Sequence, residues 1–193
     1  MNDCYEGTAC LINKLGIHDD KKLEVAEGII TASNASLLEQ QPMPGWYNLE
    51  HYKAIHRFLF YDIYEWAGEI REVELAKQRT RFVPAYEIER VGNAIFARVQ
   101  KSLAQPRQSL KGCAKTTAQL YNELNMLHPF REGNGRTQRA FFAQLIRQAG
   151  YEINFGAADR DLLTFAVIQA AGGVMDHLQD FFLENLKMQE YRD

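Results

Sequence analysis

The sequence is poor in cysteine. Its three, Cys4, Cys10 and Cys113, are an odd and scattered set with no CxxC pair. That excludes a disulfide framework and points to a reducing compartment. Cys4 and Cys10 have no neighbouring ligands at metal-site spacing, so they are not half of a zinc site. The N-terminus, MNDCYEGTAC, has no basic segment followed by an apolar one, so no secretory signal is read there. No apolar run approaches the ~20 residues that cross a bilayer, which argues against a membrane partner. Together these features place the protein in the cytoplasm. Positive charge is also scarce: 22 Lys and Arg against 25 Asp and Glu leave a net charge of −3. Without a basic excess to meet phosphates, direct nucleic-acid binding is not expected, although net charge does not report local clusters. P-loop spacing, a metalloprotease HExxH, internal repeats and low-complexity segments are all absent.

What is there suits one soluble domain with a sizeable core, at 193 residues, 46% hydrophobic and 24% charged. Apolar spacing is mostly helical. A first helix is predicted over Leu23 to Glu39 and ends before the Pro/Gly loop QPMPGW. Tyr52, Ile55, Leu59, Ile63 and Trp66 form a stripe, and Ile88, Val91, Ile95 and Val99 form another. Leu120, Leu124 and Leu127 lead into His128, and Phe141, Leu145 and Ala149 continue after it. Leu162, Phe165 and Ile168, then Leu178, Phe181 and Leu186, complete the set. Core packing is the expectation for every stripe. One segment differs. In Glu69 to Pro84, Ile70, Val73 and Leu75 lie on one arm and Phe82 and Val83 on the other, with Lys77 to Thr80 between them. That pattern predicts a short β-hairpin on an almost all-α domain.

Chemistry concentrates in HPFREGNGRTQR, His128 to Arg139. Gly133, Asn134 and Gly135 precede an amphipathic helix; glycine, and to a lesser degree Asn, reaches left-handed backbone conformations. Their N–H groups can form an anion nest at the helix N-terminus. Arg136 opens the helix and Arg139 follows one turn later, and two guanidinium groups beside a nest suit a di- or triphosphate. Glu132 would repel that polyphosphate unless a cation stands between them, and Mg²⁺ is the usual choice. His128, at the end of the preceding helix, is suited to take a proton from a hydroxyl near neutral pH. Pro129 stops the helix and Phe130 anchors the loop. An HP or a GNG alone is usually only punctuation. Their combination suggests Mg²⁺-dependent transfer of part of a nucleotide to a hydroxyl.

The twelve residues resemble the Fic-domain motif, HPFx(D/E)GNGRxxR, at all of its fixed positions: His128, Pro129, Phe130, Glu132, Gly133, Asn134, Gly135, Arg136 and Arg139. IHRFLFYDIYEWAGEIR, Ile55 to Arg71, resembles the helix and WAG turn that precede the flap hairpin of that family. The resemblance implies a Fic-type helical bundle with one β-hairpin flap, as a single domain over 1–193 with its core at about 49–186 and an N-terminal helical extension, 1–48. It implies transfer of AMP from ATP to a Ser, Thr or Tyr hydroxyl of a target protein. His128 would be the base and Glu132 the Mg²⁺ ligand. Gly133, Asn134 and Gly135 would cradle the phosphates, Arg136 would contact the bridging phosphates and Arg139 would bind the terminal one. The flap residues Arg81, Phe82, Val83 and Pro84 would dock the target chain as an added strand. The family's Doc branch, which phosphorylates, alters the glycine loop; this chain keeps both glycines and Arg139. Another nucleotide or phosphate transfer on the same site, including de-AMPylation, and a non-catalytic nucleotide-binding module are the alternatives, and an intact His128 argues against the last.

Many Fic proteins restrain themselves with an inhibitory helix, (S/T)xxxE(G/N), whose Glu pairs with the second motif arginine. Only near misses occur here: NDCYEG, carrying Glu6, and DFFLEN, carrying Glu184. The resemblance to short bacterial Fic toxins therefore implies a separate small antitoxin that supplies the inhibitory Glu to Arg139. Targets of such relatives include type II topoisomerase subunits, which makes one a candidate target.

Overall fold

The computed structural model describes residues 3–77 and 80–189. Among them are seven α-helices: α1 (Asp20–Gln40), α2 (Leu49–Phe60), α3 (Ile88–Leu103), α4 (Leu110–Leu127), α5 (Asn134–Gln148), α6 (Arg160–Ala171) and α7 (Asp176–Asn185). Four of their starts follow local capping chemistry. Asp19, Asn48, Ser109 and Asp159 each accept a backbone N–H from the first turn of α1, α2, α4 and α6. The cap at Asp19 begins α1 three residues before the predicted Leu23. α4 packs against α3, α5 and α7, while α1 lies across α2 and α5. The centre is aromatic: Tyr52, Phe96, Phe130 and Phe141 meet in stacked, tilted and edge-on pairs and are fully enclosed. No helix is long and apolar enough to cross a membrane, among the described residues.

The stripe from Tyr52 to Trp66 is not one helix. α2 ends at Phe60, and Ile63 and Trp66 reach the interior from turns. The chain doubles back here because Gly68, at φ +87°, donates its N–H to Nδ1 of His56 at 2.8 Å. A side chain at that φ would be strained, and its Cβ would also sit 2.8 Å from Arg57 Cβ.

The predicted hairpin exists but is short. Strands β1 (Ala76–Lys77) and β2 (Thr80–Arg81) pair antiparallel, Ala76 with Arg81 and Lys77 with Thr80; the turn, 78–79, lies outside the described residues. Ile70 and Val73 do not join the ladder. The carbonyl of Val73 is taken by the Arg71 guanidinium at 2.6 Å, and Val83 donates its N–H to Met126 at the end of α4 at 2.9 Å. Each arm is thus committed elsewhere before the ladder can lengthen. A second small sheet, β3 (Tyr151–Glu152) with β4 (Lys187–Met188), has strands too short to leave a period-two pattern in the sequence.

One stripe faces the wrong way for its expectation. Leu162, Phe165 and Ile168 are 41%, 46% and 48% exposed, whereas Leu163, Ala166 and Ala170 are buried. α6 is apolar on two adjacent faces, and spacing alone does not choose between them. The face with two alanines lets α6 approach α7 and α4 closely. Leu178 and Phe181 of α7 are buried, as their spacing predicts. We expect Ala166→Leu to overpack this contact and cost roughly 1–3 kcal/mol. Ile168→Ala should cost less than about 1 kcal/mol. Urea denaturation of the two variants checks the order; a reversed order would mean that the other stripe faces inward.

Candidate active site

His128 caps α4 in the left-handed region, at φ 43° and ψ 58°. Glycine usually fills this position, and a side chain there costs of order 1–3 kcal/mol unless its surroundings impose it. They do. Nδ1 lies 3.2 Å from the carbonyl of Asn125, which can only accept, so Nδ1 carries the proton and Nε2 keeps its lone pair. Phe82 stacks on the imidazole at 3.7 Å and 11°. Burial pushes the His128 pKa down to about 4, with Arg71 and Lys77 adding to the effect and the Asn125 bond and Glu132 opposing it. The ring is therefore neutral at physiological pH.

Arg71 fixes this arrangement. It is 4% exposed and makes no ion pair among the described residues. Its Nε donates to the carbonyl of His128 at 2.7 Å, Nη1 to Val73 and Nη2 to Val83, both at 2.6 Å. Its backbone N–H donates to Pro129 at 2.9 Å. One buried cation thus ties His128 to both arms of the hairpin.

Beyond Pro129 the loop is stapled by Asn134. Its Oδ1 accepts the Phe130 N–H at 2.9 Å and its Nδ2 donates to the Phe130 carbonyl at 2.7 Å. This departs from the expectation for Asn134: the side chain turns into the protein, and its backbone is the first helical residue of α5, not left-handed. Gly135 is also within the helix. Only Gly133, at φ +78°, uses glycine's freedom, and it needs it twice over, because a Cβ there would stand 2.2 Å from Cζ of Phe60. The first helical bond, Thr137 N–H to the Gly133 carbonyl at 3.0 Å, leaves the N–H groups of Asn134, Gly135 and Arg136 at the open end of α5.

Glu132 accepts the Gly133 N–H at 2.8 Å and Arg136 Nη2 at 3.2 Å through the same Oε1, and its side chain is half exposed. Among the described residues no group of three potential metal ligands forms a protein-only cage. A single accessible carboxylate fits a Mg²⁺ that takes its other ligands from phosphate and water. The Glu132 carbonyl accepts from Nε2 of His56 at 3.1 Å. His56 is stacked on Phe130 at 3.8 Å, and burial pushes its pKa down to about 3. It joins the WAG turn to the loop as a neutral ring with both nitrogens used.

Arg136 and Arg139 face a cavity of about 530 Å³ between α1 and α5, whose walls include Glu27, Thr31, Gln144 and Arg147. Arg136 makes an ion pair with Glu27 and a 3.3 Å hydrogen bond to the Thr31 hydroxyl. Arg139 lies beside Tyr121, and burial weakens its hold on its proton. Of the flap residues, Phe82 touches His128, while Val83 has both backbone groups engaged inside the protein and Arg81 is exposed in β2. Glu6 sits in a turn and Glu184 is exposed on α7, and neither lines the cavity; Asn2, the first residue of the near-miss motif with Glu6, lies outside the described residues. Glu27, His56, Arg71 and Phe60 were not singled out by the sequence. A charged or aromatic residue inside an otherwise apolar stripe, as at Glu27 and His56, was the available signal.

A helical bundle that brings a neutral histidine, an open helix N-terminus and two arginines together at the junction of α4 and α5 defines a candidate nucleotidyl-transfer site. The sequence matches the Fic/DOC family over residues 46–146, and the chain belongs to that family. It is 36% identical over 192 residues to the protein adenylyltransferase VbhT of Bartonella schoenbuchensis, covering 96% of this chain but 39% of VbhT. It is also 36% identical over 173 residues to y4lH of Sinorhizobium fredii, named a probable protein adenylyltransferase, covering 88% of each chain. Among solved structures, BepC of Bartonella tribocorum with bound AMPPNP superposes with a TM-score of 0.89 at 26% identity, over 98% of both chains.

Arg71→Met keeps much of the side-chain length but leaves three carbonyls without donors, each worth about 1–3 kcal/mol when buried and unpaired. We expect the Val83 amide, bonded to Met126, to exchange with solvent at least ~10-fold faster in this variant. Amide-exchange NMR measures it; unchanged protection would mean that the hairpin is fastened by other contacts.

Proposed function

We propose that the chain transfers AMP from ATP to a hydroxyl side chain of a target protein and releases pyrophosphate. The observation that carries this reading is His128, neutral and with Nε2 unbonded among the described residues, held at the end of α4 beside the open N-terminus of α5. The names of the relatives and the nucleotide bound by BepC support it. The target oxygen would attack the α-phosphorus, its proton passing to Nε2 of His128. The bond from that phosphorus to the bridging oxygen would break, and the electron pair would leave with pyrophosphate. Gly133 and the N–H groups of Asn134 and Gly135 would face the phosphates, with Arg136 on the bridging and Arg139 on the terminal group. Glu132 would hold Mg²⁺, which supplies charge neutralisation on the polyphosphate when bound. A strand-like target would align along the hairpin. Because Val83 is engaged and Pro84 has no N–H, the pairing falls to Arg81 and its neighbours in β2. The three free cysteines suit a reducing, ATP-containing compartment such as the cytoplasm.

Control would come from a second, antitoxin-like chain. A carboxylate delivered into the cavity between α1 and α5 would meet Arg139, and Gln144, whose buried amide has no partner among the described residues, lines the same cavity. A type II topoisomerase subunit is a candidate target on the family resemblance alone.

His128→Ala should reduce transfer of labelled AMP to lysate proteins by roughly 10²–10⁴-fold, while ATP affinity changes little. Retention of a wild-type rate at saturating ATP would remove His128 as the base.

The pH dependence has a definite sign. A pKa pushed down to about 4 keeps the base form populated well below neutrality. The rate should therefore stay nearly level as pH falls from 8 to about 5 and drop only below that, instead of falling through the ordinary histidine range near 6.5. A midpoint near 6.5 in the pH–rate profile of kcat/KM would contradict the assignment.

A further inference from the structure

Glu27 belongs to the buried seam of α1, in register with Leu23 one turn before it and Thr31 one turn after it. At 6% exposure, a carboxylate in that seam is costly unless both oxygens are satisfied. They are. Oε1 receives Arg136 Nη2 and Oε2 receives the hydroxyl of Tyr64, itself buried, both in short contacts. Thr31 Oγ1 accepts a further bond from Arg136 Nη1 at 3.3 Å. Below the guanidinium lies the Phe60 ring, 4.9 Å from Cζ, the same ring that forbids a side chain at Gly133. The long arginine side chain is thereby held on three sides by groups that are themselves fixed.

We propose that Glu27 is a positioning residue for Arg136, and that α1, outside the family-matched span of 46–146, is part of the reaction centre. The proposal rests on the reading of the site given above. Glu27 does not act as a competitor that an incoming phosphate must displace. Withdrawing it would strand the Tyr64 hydroxyl and a buried charge, whereas Glu132, half exposed, is free to turn from Arg136. The guanidinium carries five N–H bonds, and the contacts to α1 leave donors for a phosphate. Glu27 does not touch the nucleotide; it fixes where Arg136 meets it. In-line transfer is intolerant of misplacement, so loosening Arg136 acts on the chemical step.

The test uses the full chain, with Glu27→Gln as the main variant, since the amide oxygen can still accept from Tyr64. We expect kcat for labelled-AMP transfer to fall roughly 10–100-fold, the scale of a ~1 Å displacement, with KM for ATP changed less than about threefold. In an Arg136→Gln background the same substitution should have almost no further effect. Glu27→Asp, shorter but charged, should recover part of the rate. A faster Glu27→Gln enzyme would overturn the proposal in favour of competition. An equal loss with and without Arg136 would overturn it in favour of a purely structural role. Side-chain ¹⁵N NMR of Arg136 gives a readout independent of turnover: separate, slowly rotating Nη signals in the wild type, merged in Glu27→Gln. Merged signals in the wild type would overturn the proposal. An inert wild type with a rigid Arg136 would instead overturn the assigned reaction.

Discussion

The carbonyls at the end of α4 have no helical N–H to receive them, and most of the site is built to answer that need. His128 turns left-handed and donates its own N–H back to Leu124 at 3.2 Å. The imidazole takes the Asn125 carbonyl, Val83 takes Met126, and Arg71 takes His128 and, through its backbone, Pro129. A buried arginine with no carboxylate partner among the described residues is tolerable because it sits at the negative end of a helix among carbonyl oxygens. The partners that cap the helix are also the candidate base and the residues that root the hairpin. Helix termination and active-site assembly are one set of hydrogen bonds.

On the other side of Pro129 an aromatic floor takes over. Phe130, His56 and Phe60 stack in sequence, and Gly133 lies against Phe60 too closely for any side chain. The floor fixes the height of the loop above the core, and Asn134 closes it from within. Arg136 shares the same ring, so the loop backbone and the first motif arginine are referenced to one rigid surface.

The sequence made local things legible. His128 to Arg139 are near neighbours in the chain, and their chemistry could be read from residue type and order. The hairpin was visible as two apolar arms around a polar turn, though its ladder was overestimated, because the bonds that shorten it come from Arg71 and Met126. The stripe of α6 was misassigned because two apolar faces adjoin and only packing selects one. Asn134 was expected to turn left-handed, whereas it begins α5 and its side chain staples the loop. Glu27 could not be read at all as a partner of Arg136: the two are 109 residues apart, and nothing in local spacing connects them.

That separation sets an order on the biosynthesis of the site. At ~5–20 residues per second, α1 is synthesised roughly 5–20 s before Arg136. Until then the apolar seam of α1 carries an unmatched carboxylate, which disfavours burying that face against anything that lacks a cation. The helix is thereby discouraged from premature docking on α2 or on another nascent chain. The groove between α1 and α5 is completed only after the motif arginines have been synthesised, so half-made chains do not present it.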